Sequence, residues 1–392
     1  MRLWLWYGAT RALMFWLLFA IEYVVLSDPK KWLVDLDAAG PGTGLPEYPW
    51  PAAYLLYLPV AIGVPTILHY FAIVVLCMLA VDAVLTWWLW RAAGKHIANG
   101  VWLWLLVVPA LGPVAFARYD ILPAALTALA LLCMTRARFV RAGVFAAAGA
   151  GLKLWPAVAL PALLLPGERD ARLRLLSAFA ACALVLIVAT LLAAGGERLV
   201  SPFAAQAQRG LQIEAFTALP LLWARYFEGG SLWTVQFAAC HCHELFGPGV
   251  NFALHAATAI TAAGAVFILM LYLRAFAATA RSRTPERAAL LTAFAIVVWI
   301  VGAKVFSPQY LLWLAAPLAV LGVLPGRAAK RTDVALLAAA AALTHFVYPM
   351  TYEALLVERH FFQAFTLVAL SVRDGLLVAL AWRLGWRAWE WA

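Results

Sequence analysis

The sequence predicts an all-α polytopic membrane protein, a bundle of roughly 11–12 transmembrane helices with extracytoplasmic loops. Three observations predict it. Of the 392 residues, 66% are hydrophobic and 12% charged, whereas soluble domains average about 45–50% apolar and about 25% charged. The mean hydropathy is +0.89, which a lipid-facing surface accommodates and a water-facing one does not. The 29 Lys and Arg residues fall unevenly between successive apolar runs, the pattern of the positive-inside rule. The 19 Trp suit membrane–water interfaces.

The apolar runs are 3–26, 64–90, 101–117, 121–135, 142–152, 154–165, 175–194, 249–273, 288–303, 310–325, 334–350 and 361–382. The first carries Arg2 and Arg11 and lacks a small-residue cleavage site, so it reads as a retained span and not a signal. Runs 142–152 and 154–165 are each short for a span. Counting them as two crossings places 19 of the 29 Lys and Arg on one side: Arg2, Arg11, Arg91, Lys95, Arg136, Arg138, Arg141, Arg169, Arg172, Arg174, Arg274, Arg281, Arg283, Arg287, Arg327, Lys330, Arg331, Arg383 and Arg387. Joining them would invert everything after Pro166. The pair is therefore read as short or broken helices, which a membrane tolerates where protein or a cavity satisfies their ends. Both termini are then cytoplasmic, and residues 1–392 form one transmembrane domain.

The opposite side carries the long segments 27–63 and 195–248 and short turns around Arg118, Lys153, Lys304 and Tyr352. Prolines crowd the first segment, and the apolar stretch Trp50–Gly63 is too short and Pro-broken to span. It is expected as a helix lying at the outer interface or dipping into it. Asp28 follows the first span at headgroup level. It reads either as a helix cap before Pro29 or as a reactive carboxylate. Asp35 and Asp37 read as solvated. The later turns add Arg118-Tyr119-Asp120, Lys153, Arg209 with Gln212 and Glu214, Lys304 with Ser307, Gln309 and Tyr310, and His345 with Tyr348, Tyr352 and Glu353. Taken singly, Arg118 and Asp120 could be a loop ion pair, and Lys153 could snorkel. Taken together, they contrast with the simple Arg-rich loops of the other side. Isolated cations near the membrane usually serve a pathway or an anionic ligand.

The net charge of +10 follows from the positive-inside pattern, so no nucleic-acid partner is expected. Cys77, Cys133 and Cys182 lie in apolar runs and read as packing. Cys240-His241-Cys242-His243 has metal-ligating residue types, yet alternate residues of a strand point apart and no second ligand pair lies near. No metal and no other cofactor is assigned. Glu22, Asp82, Arg373 and Asp374 interrupt apolar runs and read as buried or interfacial pairs in preference to a proton relay.

Several segments, in this order along the chain, resemble the PimE-like polyprenol-phosphate-mannose-dependent mannosyltransferases of actinobacteria, glycosyltransferase family 87. They are the acid after span one (Asp28), Leu45-Pro46-Glu47-Tyr48-Pro49, Arg118-Tyr119-Asp120-Ile121-Leu122-Pro123, Gly151-Leu152-Lys153-Leu154-Trp155-Pro156, Gln208-Arg209-Gly210-Leu211-Gln212-Ile213-Glu214 and Ser307-Pro308-Gln309-Tyr310. The resemblance implies a GT-C-type helical bundle with its site on the extracytoplasmic face. It also implies inverting transfer from a lipid-phosphate sugar, with an acid of the first outer loop as base. That acid is Asp28 by position. The chain departs from the family pattern just after it, where Lys31-Trp32 stands in place of a Tyr-Tyr pair, so Asp35 and Asp37 remain competitors.

The chemistry suits these residue types. One carboxylate must take the acceptor hydroxyl's proton, and the departing phosphate needs cations more than an acid. Lys153, Arg209, Lys304 and His345 are the donor-phosphate candidates. Glu47, Arg118, Asp120, Gln212, Glu214, Gln309 and Tyr310 are the candidates for holding sugar and acceptor. The expected partners are a polyprenyl-phosphate sugar donor, a lipid or glycan acceptor, and membrane lipids. The sugar, mannose or arabinose, is left open. The rival reading is a transporter or flippase of lipid-linked sugars with a midplane site drawing on Glu22, Asp82 and Asp374; inverted repeats would favour it, and none is evident.

Overall fold

The computed structural model describes residues 2–96, 98–238, 241–279, 282–324, 329–357 and 361–391. Arg281, Arg327 and Cys240 lie outside the described residues. The chain is an all-α polytopic membrane protein. Among the described residues seven helices are long and apolar enough to cross a membrane, and four shorter apolar helices accompany them.

The first half contains α1 (Arg2–Ala20), α2 (Ser27–Thr43), α3 (Trp50–Ala61), α4 (Ile67–Ala92), α5 (Asn99–Ala110), α6 (Val114–Ala117), α7 (Ile121–Thr135), α8 (Phe139–Leu152), α9 (Leu160–Leu163) and α10 (Arg169–Ala194). Then follow α11 (Glu197–Ala207), α12 (Leu219–Glu228), an antiparallel hairpin of β1 (Thr234–Phe237) and β2 (His243–Phe246), α13 (Val250–Ala277), α14 (Pro285–Gly302) and α15 (Tyr310–Val323). The chain ends with α16 (Arg331–His345), α17 (Glu353–Leu356) and α18 (Gln363–Glu390).

Burial sorts these helices. Every residue of α15 is buried, whereas the 28-residue α13 buries five and the 26-residue α10 three. The outward faces of α10 and α13 are apolar, as lipid demands and water forbids. At the centre α5 and α15 touch backbone to backbone. A Cβ on Gly100 would lie 1.9 Å from the Ala319 carbonyl oxygen, so only glycine permits this crossing.

The segment 142–165 behaves as the charge pattern requires. A Cβ on Gly143 would meet the Leu175 carbonyl, and one on Gly151 would meet Leu186. Positions rising along α8 thus meet positions rising along α10, so the two helices run parallel. The chain between them must return, and Gly167 does sit back against Phe139 at the start of α8. The return is a 3-10 turn, Trp155–Ala159, and the four-residue α9. Pro156 and Pro161 deny it a continuous helix.

The segment after span one begins with a helix: α2 starts at Ser27, because Pro29 sits in the first turn where its missing N–H costs little, and breaks at Gly40, whose φ is +63°. Two expectations are corrected. Arg11 is no loop cation. It is buried in α1 with Nε 2.9 Å from Asp82 Oδ2 of α4, and Trp104 Nε1 of α5 donates to Asp82 Oδ1 at 2.7 Å. Arg383 and Arg387 lie inside α18, which outruns the apolar run, and both pair with Asp333 at 3.1 and 2.9 Å.

Candidate functional site

One cavity of 870 Å³ opens among the segments joining the helices at one end of the bundle. It gathers Asp28, Glu47, Arg118, Lys153, Arg209, Gln212, Glu214, Gln309 and Tyr310, residues from five separate connections. Asp28 comes from the first turn of α2. The N-cap position of that helix is Leu26, so Asp28 does not cap. Its carboxylate forms an ion pair with Arg118, which leads into α7. Of Asp28, Asp35 and Asp37, only Asp28 lines the cavity. Asp35 is taken by Lys31, whose ammonium also lies 3.0 Å from Glu47 Oε1. Burial pulls the Lys31 ammonium down, and the bonds to Asp35 and Glu47 outweigh it to give a net rise.

Lys153 follows α8. Its Nζ lies 2.6 Å from Asp120 Oδ1, and Trp313 Nε1 donates to the same oxygen at 2.7 Å. Asp120 therefore stands behind the cavity wall and fixes Lys153 and Trp313, which line it. The ammonium faces the rings of Tyr119, Trp313 and Tyr48 at 5.1, 5.2 and 5.9 Å, favourable cation–π geometry. Burial lowers its pKa; Asp120 opposes that, while Arg118 and Arg209 add to it.

A single antiparallel bridge joins Gln212 to Glu244 of β2. Ile213 N donates to His243 O at 3.1 Å, and Leu245 N donates to Leu211 O at 2.9 Å. Gln212 Oε1 accepts from Glu214 N and Phe306 N, both at 3.1 Å, so its carbonyl staples two connections. Gly210 lets Glu244 approach: its N–H donates to Glu244 Oε1 at 2.6 Å, and a Cβ would sit 2.5 Å from Glu244 Oε2, so a larger residue would displace that carboxylate. The Glu214 carboxylate accepts from Arg373 Nη1 at 2.9 Å. Burial pushes it up to about 7 against the pull of that guanidinium.

Arg209 differs from its neighbours. Among the described residues Lys31, Arg118 and Lys153 each have an acidic partner, and the Arg209 side chain has no hydrogen bond or ion pair. Lys304 does not line the cavity. Its Nζ donates to the carbonyls of Ala207 and Arg209 at 3.2 and 2.5 Å, which fixes the backbone that carries Arg209. His345 also lies outside the lining, with Nε2 2.9 Å from Glu22. Gln309 is buried, and its Oε1 has no hydrogen-bond partner among the described residues. A buried acceptor left open in a cavity is suited to a ligand hydroxyl.

Three contributions escape a reading of the sequence. Lys31 joins Asp28 in the lining. The stacked rings of Trp155 and Trp313, centroids 5.1 Å apart and 13° from parallel, and of Tyr310 on Trp313 at 3.9 Å, form an aromatic wall. Nothing local distinguishes these Trp from the other 17. Arg373 holds Glu214 from α18, and its signal was the ionisable pair Arg373-Asp374 in an apolar run. His241, Cys242 and His243 line the cavity too. Cys242 is disulfide-bonded, which removes its thiolate as a metal ligand, and burial lowers the His243 pKa.

A cavity that holds an open cation among the described residues, several carboxylates and an aromatic wall, at the end of a membrane bundle, defines a polar-ligand site of a membrane protein. Residues 48–308 match the sequence model of glycosyltransferase family 87. The match covers more than half of the chain, which belongs to that family and is a membrane glycosyltransferase. No curated protein matches the chain.

Proposed function

We propose that the chain is an inverting transferase that moves a sugar, mannose in our reading, from a polyprenyl-phosphate donor to a lipid or cell-envelope glycan acceptor on the extracytoplasmic face. The observation that carries this is the division of charge in the cavity. Asp28 presents a carboxylate held in place by Arg118, and Arg209 presents a cation without a partner among the described residues. The acceptor oxygen attacks the anomeric carbon and its proton passes to Asp28. The bond from that carbon to the phosphate oxygen breaks, and the electron pair leaves on the phosphate. Arg209, with Lys153 beside it, offsets the growing charge. Gln309 Oε1 and the Trp155–Trp313–Tyr310 wall suit a sugar's hydroxyls and faces. Lys304 supports Arg209 from behind, and Asp120 supports Lys153.

The extracytoplasmic assignment rests on the distribution of Lys and Arg and is favoured by the disulfide at Cys242, since such bonds persist in oxidising compartments. The pairing of Asp82 with Arg11, of Glu22 with His345 and of Asp374 with Arg373 counts against the transporter reading. The test is purified protein in liposomes, given radiolabelled polyprenyl-phosphate mannose and a lipid extract. Label should move to an acceptor lipid as free polyprenyl phosphate accumulates. Label that crosses the bilayer still attached to its donor would support the flippase instead.

A further inference from the structure

A second cavity, of 450 Å³, is lined by Gly167, Glu168, Arg169, Arg172 and Arg283. It lies at the other end of the bundle. Gly167 rests on Phe139, where α8 begins, and Arg283 lies just before α14. The large cavity takes Lys153 and Trp299 from the far ends of the same two helices. A 14-residue helix separates such ends by about 20 Å.

Loop arginines on the basic side of a membrane protein ordinarily need no explanation beyond topology. Two of these three, Arg172 and Arg283, are different in how they are held. Arg172 Nη2 donates to the Leu165 carbonyl at 3.2 Å, and its guanidinium lies over the Phe276 ring at 5.9 Å. Arg283 Nε donates to the Ala278 carbonyl at 3.2 Å, and its Nη2 donates to the Phe276 carbonyl. Both side chains are thus anchored by backbone and not by acids. No ion pair joins Arg169, Arg172 or Arg283 to a carboxylate among the described residues. Among the described residues Arg172 Nε is buried without a partner, as are Nε and Nη2 of nearly fully buried Arg287, four residues after Arg283. Donors held in place beside like charges are costly unless an anion completes them. Guanidinium groups match phosphate oxygens in paired hydrogen bonds. Phe139 and Phe276 supply apolar surface beside the charges, which a free ion does not need and an acyl chain does.

We infer that this cavity binds the phosphate of an anionic phospholipid at the end of the bundle remote from the glycosyltransferase site. Phosphatidylglycerol is the probe. Native mass spectrometry of the purified full chain, equilibrated with phosphatidylglycerol or phosphatidylcholine, reads retained lipid directly. The wild type should retain phosphatidylglycerol preferentially. The double variant Arg172→Gln, Arg283→Gln should lose about tenfold or more of that preference. Should that variant fail to fold, Arg169→Gln, at an exposed position, should show a smaller loss in the same direction. Equal retention of the two lipids by the wild type would overturn the inference, as would an unchanged preference in the folded variants. Displacement of phosphatidylglycerol by an equal concentration of inorganic phosphate would overturn the lipid assignment.

Discussion

Arg373, midway along the last helix, reaches Glu214 at both ends of that residue: Nη1 lies 2.9 Å from the carboxylate Oε2, and Nη2 lies 2.9 Å from the Glu214 carbonyl oxygen. A guanidinium inside an apolar bundle is expensive unless its donors are used. Here Asp374 takes Nε at 2.8 Å and the Phe306 ring lies 3.9 Å from the guanidinium carbon. The arrangement ties a transmembrane helix to the wall of the large cavity.

This pairing has a pH signature. The Glu214 carboxyl is raised from an ordinary 4.5 to about 7, chiefly by burial. Between those values the folded chain keeps a proton that the unfolded chain has released, so stability falls as pH rises through that window and levels off above it. Thermal unfolding at about pH 5 and about pH 7.5 should show this loss in the wild type. Glu214→Gln, which cannot ionise, should show less of it. Equal slopes in both proteins would contradict the assignment.

Arg209 and Lys304 should separate on mutation, though both are cations on neighbouring backbone. Arg209→Ala removes the open charge. It should weaken use of the lipid-phosphate donor by about 1.5–3 kcal/mol, the worth of a charge-assisted hydrogen bond, with melting temperature little changed. Lys304→Ala releases the carbonyls of Ala207 and Arg209 and should lower the melting temperature as well. Donor kinetics and thermal melts of the two variants check this. Unaltered donor kinetics in Arg209→Ala would reject it as the phosphate contact.

The legibility of these features differed by residue, for physical reasons. Lys153 and Asp28 stood out because charge beside an apolar run is costly and therefore informative. The broken return at 154–165 was legible because Arg and Lys counts fix which side each loop takes. Lys304 carried the same signal, but its ammonium is used by carbonyls 95 and 97 residues away, and no local pattern reveals such a partner. Lys31 looked like a departure from a family pattern until Glu47 and Asp35 closed on it. The hairpin Thr234–Phe246 was missed because two four-residue strands leave little periodicity in a chain this apolar.

Topology gives an independent check. Single cysteines at Thr43 and Ser231, in a background lacking Cys77, Cys133 and Cys182, should react with an impermeant maleimide added outside intact cells. One at Thr279, at the basic end, should react only after lysis. Gly326, in another loop of the basic side, lies outside the described residues. Labelling of Thr279→Cys from outside would invert the orientation and with it the extracytoplasmic site.

The central claim is that Asp28 takes the acceptor's proton, and single-turnover sugar transfer by Asp28→Asn tests it most directly. Asparagine nearly preserves shape but cannot accept the proton, so the rate should fall about 100- to 10,000-fold. Arg118→Gln breaks the same ion pair while leaving the carboxylate, and should retain more activity than Asp28→Asn. Asp35→Asn and Asp37→Asn, outside the cavity lining, should transfer at rates near wild type. Transfer by Asp28→Asn at the wild-type rate would contradict the account, whatever the other variants do.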